Sequence, residues 1–173
     1  TCPKGMVPYL SSELQELGFS ADKKRPAGVE ITGSLNDCMK LNLLLRCAHR
    51  VHFHIAGFKA SNAKQLEKAL SELQWENYIP EDGYFSITSF IKNPTITNAQ
   101  YANLVMKDAI VDRFREEMAK RPDSGPRLDQ TVLFLFWKGD RADVYLDTSG
   151  ESISRRNYKS DQHTASMQET LAA

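Results

Sequence analysis

The chain carries no net charge. Its 22 lysines and arginines stand against 22 aspartates and glutamates in 173 residues, so no overall field draws it to a polyanion. Cysteine is scarce. Cys2, Cys38 and Cys47 form an odd set without metal-ligand spacing, and Cys38 and Cys47 fall in an apolar helical pattern where cysteine behaves as a small hydrophobe. A nucleophilic thiol would want a paired histidine and an exposed helix start, and neither pattern is present. The sequence also lacks a signal peptide and any apolar run of membrane length, which points to the cytoplasm and away from a membrane. Glycine-rich phosphate loops are missing: there is no G-x-G-x-x-G, no G-x-x-x-x-G-K-[ST], and no acidic, glycine-rich turn after a strand of the kind that cradles a nucleoside cofactor. No cofactor is therefore expected within these residues.

What is present reads as folded. A hydrophobic content of 41% with 9% aromatics suits a globular core, and the length fits one medium domain or two small ones packed together. Charge is segregated locally. No acid occurs from Cys38 to Lys64, where Lys40, Arg46, Arg50, Lys59 and Lys64 are joined by His49, His52 and His54. The next stretch reverses sign, with Glu67, Glu72, Glu76, Glu81 and Asp82 against one lysine. Such a protein can present a basic surface to phosphates, although two solvated faces of opposite sign would look the same.

Periodicity sets the elements. Met6, Val7, Leu10, Leu14 and Leu17 make a helical stripe stopped by Gly18. A polar, basic loop runs over 20–27, Val29 to Ile31 alternates as a short strand, and Ser34 with Asp37 caps a helix whose inner face holds Cys38, Leu41, Leu45 and Ala48. His52 to Phe58 alternates again, so the first 59 residues read strand, helix, strand, helix, strand. Leu66, Ala69, Leu70 and Leu73 mark a helix over 63–73, and Tyr84 to Ile91 a strand. Thr97 and Gln100 have the spacing of a capping box opening the longest helix, which turns Ala102, Val105, Met106, Ala109, Ile110, Val111, Phe114 and Met118 inward. A surface loop over 121–130 precedes a strand apolar on both faces, Thr131 to Trp137, which turns at Lys138-Gly139-Asp140 into Ala142 to Leu146. From Gly150 the pattern lapses into a polar, basic linker. Helices mixed with a hairpin argue an α+β fold.

Candidate chemistry is sparse. His52 and His54 share a strand face, but no third ligand stands at a helpful spacing, so ordinary rim histidines are the better reading and no metal is expected. Asn93-Pro94-Thr95-Ile96 only superficially resembles the Asn-Pro-Pro-Tyr tetrad of base-modifying methyltransferases and offers no aromatic at its end. Cations remain. Lys92 and Asn93 follow a strand and precede a helix start, where free amides and the helix dipole favour a phosphate. Lys107 lies on the outer face of the same helix, and Arg155, Arg156 and Lys159 surround Tyr158 in the linker. Together these cations and aromatics form the kind of set that grips RNA.

At this point a family resemblance enters. The stretch from Asn98 to Asp112 resembles the long-helix motif of the THUMP domain in bacterial 23S ribosomal RNA guanine-N2 methyltransferases, proteins also called predicted N6-adenine-specific DNA methylases. Leu146 to Tyr158 resembles the stretch leading from the THUMP hairpin to catalysis, Met167 to Ala173 the helix opening the methyltransferase domain, and Thr1 to Gly5 the family's first strand and turn. The resemblance implies a ferredoxin-like domain over 1–59 packed with a THUMP domain over 60–150. A linker and the first helix of a methyltransferase domain would follow over 151–173. It further implies structured RNA, in particular large-subunit rRNA, as partner, and S-adenosylmethionine as cofactor of a catalytic domain downstream in cis. With no initiator methionine and a helix-like end, the chain is expected to be a piece of a longer enzyme and to transfer no methyl group itself. The expected RNA-binding residues are Lys92, Asn93, Lys107, Arg155, Arg156 and Tyr158. Rival readings are the RNA grip of a tRNA methyltransferase or tRNA thiolation enzyme, and a protein-docking module using Phe134, Phe136 and Trp137.

Overall fold

A computed structural model of the chain describes residues 1–118 and 120–153, and it parts into two units, Thr1–Phe53 with the segment from Glu151, and His54–Gly150.

The first unit begins with α1 (Val7–Glu16), which ends where the stripe predicts. Gly18 takes φ 87°, letting its own N–H reach the Gln15 carbonyl and that of Phe19 the Leu14 carbonyl. This is the paired 5→2 and 6→1 bonding that satisfies a helix C-terminus through a left-handed glycine. Two expectations are corrected here. Thr1 to Gly5 form no strand. The Cys2 N–H donates to Ala27 and the Thr1 carbonyl accepts from His49, but Pro3 has no N–H to extend a ladder. The loop over 20–27 instead contains β1 (Lys23–Arg25), which pairs antiparallel with β2 (Gly28–Glu30) and carries an Arg25–Glu30 ion pair of 2.6 Å.

In α2 (Leu35–Leu44) the capping box forms as read: Ser34 Oγ accepts from the Asp37 N–H, and the Asp37 carboxylate accepts from the Ser34 N–H. Those bonds hold the Asp37 carboxyl below its ordinary pKa. Leu45 and Ala48 lie beyond the helix end yet remain buried. Cys2, Leu10, Leu14, Cys38, Leu41, Cys47, Val51 and Ile153 complete this core. Burial pushes all three thiols above the ordinary range, with Asp37 adding to the effect at Cys38 and Glu13 at Cys47. A raised thiol pKa lowers the share of thiolate, the reactive form, at neutral pH.

The second unit is a five-stranded sheet with helices on one face. Its elements are β3 (His52–Lys59, whose first two residues fall in the first unit), α3 (Ala63–Ser71), a 3-10 turn (Trp75–Asn77), β4 (Tyr84–Lys92), α4 (Ala99–Glu117), β5 (Asp123–Ser124), β6 (Thr131–Lys138) and β7 (Arg141–Asp147). The strands lie in the order β3-β7-β6-β4-β5. β4 runs parallel to both neighbours, and β6 antiparallel to β7. A two-residue loop, with Gly139 at φ 63°, closes the β6–β7 hairpin as the sequence suggested. β5 is a correction to the expected open loop: Asp123 and Gly125 donate to the Gly83 and Phe85 carbonyls at the start of β4.

Alternation sorts the sheet into two faces. Phe85, Leu133, Leu135, Trp137, Ala142 and Val144 join Leu66 and Leu70 of α3 and Ala102, Met106, Ala109, Ile110 and Phe114 of α4 in one core. Val105 and Met118 pack only at its margin. Asn98, not Thr97, caps α4. Its side chain accepts from the Gln100 N–H, because the chain leaves the extended region only after residue 98, one position later than the spacing suggested.

An ion pair fixes α4 to the 3-10 turn. Arg113 donates through Nε to Glu76 Oε2 at 2.9 Å and through a terminal nitrogen to Oε1 at 2.6 Å. Those hydrogen bonds lower the Glu76 pKa from its ordinary 4.5. The unfolded carboxyl takes up its proton first on acidification. The stabilising contribution is therefore complete above the unfolded pKa and is lost as pH falls through the folded value. Denaturation midpoints of the wild type and Glu76→Gln, measured from neutral pH down to about pH 3, are expected to converge below about pH 5. A gap that stays constant with pH would show that Arg113 gains nothing from the Glu76 charge.

Candidate nucleic-acid interface

Lys92 ends β4, and the parallel register sets Lys138 of β6 directly beside it. Two residues earlier, Phe90 sits beside Phe136. Since residues two apart share a face, Phe90, Lys92, Phe136 and Lys138 all stand on the sheet face opposite the helices. The phenyl rings stack with centroids 5.2 Å apart and planes 10° from parallel, and Phe90 remains 48% exposed. Among the described residues neither lysine makes an ion pair. Like charges directly opposite each other across a strand pair are ordinarily unfavourable. On β7, next in the sheet, Arg141 pairs instead with Asp143, which also lies 3.2 Å from His54 Nε2. Asp143 and Arg141 crowd over Gly57 of β3, where an added Cβ would meet their side chains.

Asn93 is placed differently from the expectation. It is 5% exposed; its Nδ2 donates to the Gly139 carbonyl at 2.6 Å, while Oδ1 accepts from the Thr95 N–H, the Thr95 hydroxyl and the Ile96 N–H. The amide is consumed by the fold and ties the turn after β4 to the β6–β7 hairpin. What Asn93 contributes is the shape of that turn. An open concavity of about 420 Å³ follows it, lined by Ile91, Lys92, Asn93, Pro94, Ile96 and Thr97. Lys92 borders this hollow.

Lys107 does not lie on the outer face of α4. It sits on the flank towards β4 and β5, beside a second hollow of about 250 Å³ that Gln100, Asn103 and Gly125 also line, and its ammonium pairs with Asp108 at 3.2 Å. Lys120 falls past the end of α4 at Glu117, and its ammonium is held by both Asp82 oxygens at 2.9 and 3.0 Å. Arg155, Arg156, Tyr158 and Lys159 lie outside the described residues.

The basic run from Lys40 to Lys64 is divided between the two units. Within it, Arg46 is committed to the buried carboxylate of Glu13. Among the described residues no cluster of three or more His, Cys, Asp or Glu side chains could hold a metal, and no helix is long and apolar enough to cross a membrane.

Sequence reasoning singled out Lys92 but did not place Phe90 and Lys138 beside it. It grouped Phe134, Phe136 and Trp137 as one docking strip. Trp137 is wholly buried on the helix side, its indole N–H donating to the Ala60 carbonyl at 2.7 Å, so the three do not share a surface. Consecutive strand residues point to opposite faces.

Comparison with known proteins gives the arrangement a context. Residues 1–52 match the family described as RlmL ferredoxin-like domain, and residues 60–147 match the THUMP domain. Among curated relatives, the ribosomal RNA large subunit methyltransferase K/L of Syntrophotalea carbinolica is 35% identical over 173 residues, which are 100% of this chain and 24% of that protein. The protein of the same name from Psychromonas ingrahamii is 37% identical over 172 residues, 98% of this chain and 23% of its own length. The chain thus spans about a quarter of the curated relatives it matches. A crystal structure described as a predicted N6-adenine-specific DNA methylase from Listeria monocytogenes superposes with TM-score 0.87 at 28% identity, covering 99% of this chain and 45% of that one.

Proposed function

This chain belongs to the THUMP-domain family, in the ferredoxin-like plus THUMP arrangement of ribosomal RNA large subunit methyltransferases, and we propose that it is the RNA-binding region of such an enzyme. On this reading it seats structured large-subunit rRNA for a downstream domain in cis, in the cytoplasm. That domain would transfer a methyl group from S-adenosylmethionine to a guanine exocyclic amine. The observation that carries the proposal is the pair of lysines, Lys92 and Lys138, which make no ion pair among the described residues and are brought together at the end of the sheet beside an open hollow. A phosphate would relieve their mutual repulsion and gain two charge-assisted hydrogen bonds. We assign roles in RNA binding to Lys92, Lys107, Arg155, Arg156 and Tyr158, with Asn93 shaping the turn after β4.

Filter binding of a large-subunit rRNA hairpin to the chain tests this. Raising salt from about 50 to about 200 mM should weaken binding by roughly tenfold or more, because bound phosphates release counterions. Lys92→Ala, and the Arg155→Ala, Arg156→Ala double change, should weaken it further at fixed salt. Removing one cation from a bound phosphate should make the salt slope shallower by about one unit, without lowering the melting temperature. Lys120→Ala is the control, since its ammonium is already tied to Asp82. Equal effects of Lys120→Ala and Lys92→Ala would show that binding follows diffuse charge and would remove the assigned surface.

A further inference from the structure

An aromatic pair on an open sheet face is costly to leave in water, and the surroundings of Phe90 limit what would cover it. Phe136 stacks on one side of its ring. On the other side β4 has little company. β5 pairs with it only at Tyr84 and Phe85, five or more residues before Phe90, and no further strand lies beyond among the described residues. The Phe136–Phe90 stack therefore ends at an open strand edge with an exposed ring. One step along the same face stand Lys92 and Lys138, without an acidic partner among the described residues. Successive side chains on one face of a strand are about 6.6 Å apart, near the spacing between a nucleobase and its own backbone phosphate.

We infer that the Phe136–Phe90 stack is a platform for one unpaired RNA base, which extends the stack at the β4 edge while Lys92 and Lys138 hold the adjoining phosphate. This rests on the RNA-binding reading and narrows it. The preferred ligand is a hairpin or junction that presents an unstacked nucleotide, because a base inside a continuous helix has no free face to offer. The charge of the lysine pair selects RNA over an apolar protein segment. The ring selects an unpaired base over a bare phosphate run, since base–aromatic stacking is indifferent to base identity but needs the base exposed.

The test compares two hairpin RNAs closed by the same loop, one with a single bulged nucleotide in its stem carrying a fluorescent adenine analogue and one whose stem is fully paired. Wild-type chain should bind the bulged hairpin about tenfold more tightly, with the analogue quenched on binding. Phe90→Leu keeps apolar bulk but loses the ring face. It should bring the bulged hairpin down to the affinity of the paired one and abolish the quenching, while Phe90→Tyr keeps both. The Lys92→Gln, Lys138→Gln double change should weaken both hairpins and flatten the salt slope. If Phe90→Leu binds and quenches like wild type, or if Phe90→Tyr fails as badly as Phe90→Leu, the stacking platform is wrong. In the first case the exposed ring serves an interface with protein instead. Salt-dependent binding of the paired hairpin that survives Phe90→Leu leaves the broader RNA-binding reading standing; absence of binding to either hairpin by wild type removes both.

Discussion

Replacing Trp137 with alanine is expected to cost the second unit about 3–5 kcal/mol, a large share of the roughly 5–15 kcal/mol that holds a domain together. The indole is wholly buried among Leu133, Leu135, Ala142 and the inner faces of α3 and α4. Its removal strips out a large apolar surface and leaves the Ala60 carbonyl, buried with it, without its indole donor. Trp137→Phe should fall between, since most of the volume returns but the donor does not. The instructive comparison is with the adjacent residue. Phe136→Ala, on the outer face, should cost about 1–2 kcal/mol, because a partly buried ring has less area to lose. Urea midpoints followed by circular dichroism measure all three. Equal costs at 136 and 137 would mean that the strand does not alternate as described.

Glu13→Ala is expected to destabilise the first unit by about 3 kcal/mol, through unsatisfied amides. Glu13 is a carboxylate on an otherwise apolar helix face, 6% exposed. Its oxygens accept from the Arg46 N–H at 2.8 Å, the Arg46 Nε at 3.1 Å and the Cys47 N–H at 3.1 Å. They hold the turn after α2 as a cap would. Alanine strands two main-chain donors, each worth about 1–3 kcal/mol when buried and unpaired. Glu13→Gln keeps an acceptor and should recover about half. Both tryptophans, Trp75 and Trp137, belong to the second unit, so intrinsic fluorescence separates the effects. Glu13→Ala should speed hydrogen exchange at the Cys38 to Val51 amides and leave tryptophan emission in dilute buffer unchanged. Unaltered exchange there would mean the carboxylate is dispensable.

Much of the fold is legible in the chain's local patterns. The stripes of α1, α3 and α4, the Ser34–Asp37 box, the Gly18 stop and the Gly139 hairpin are signals set by side chains within a turn or two of one another. The family follows from the stretch Asn98 to Asp112 and its companions. Local signals also compete. Thr97 and Asn98 both suit an N-cap, and only backbone direction chooses Asn98. Nothing near Glu13 in the chain marks its role, because the donors it serves lie more than thirty positions away.

The candidate interface is the least legible part. Periodicity and composition are enough to end a strand at Lys92, to form another over residues 131 to 137, and to supply cations and aromatics. They are not enough to bring Lys92 to Lys138 and Phe90 to Phe136, because register between parallel strands 46 residues apart is decided by how two faces pack. Had β6 slipped by one residue, Trp137 would have faced outward and Phe136 the core. What excludes that slip is the helix-lined cavity that takes the Trp137 indole and its bond to Ala60. The buried face chose the register, and the register assembled the exposed one.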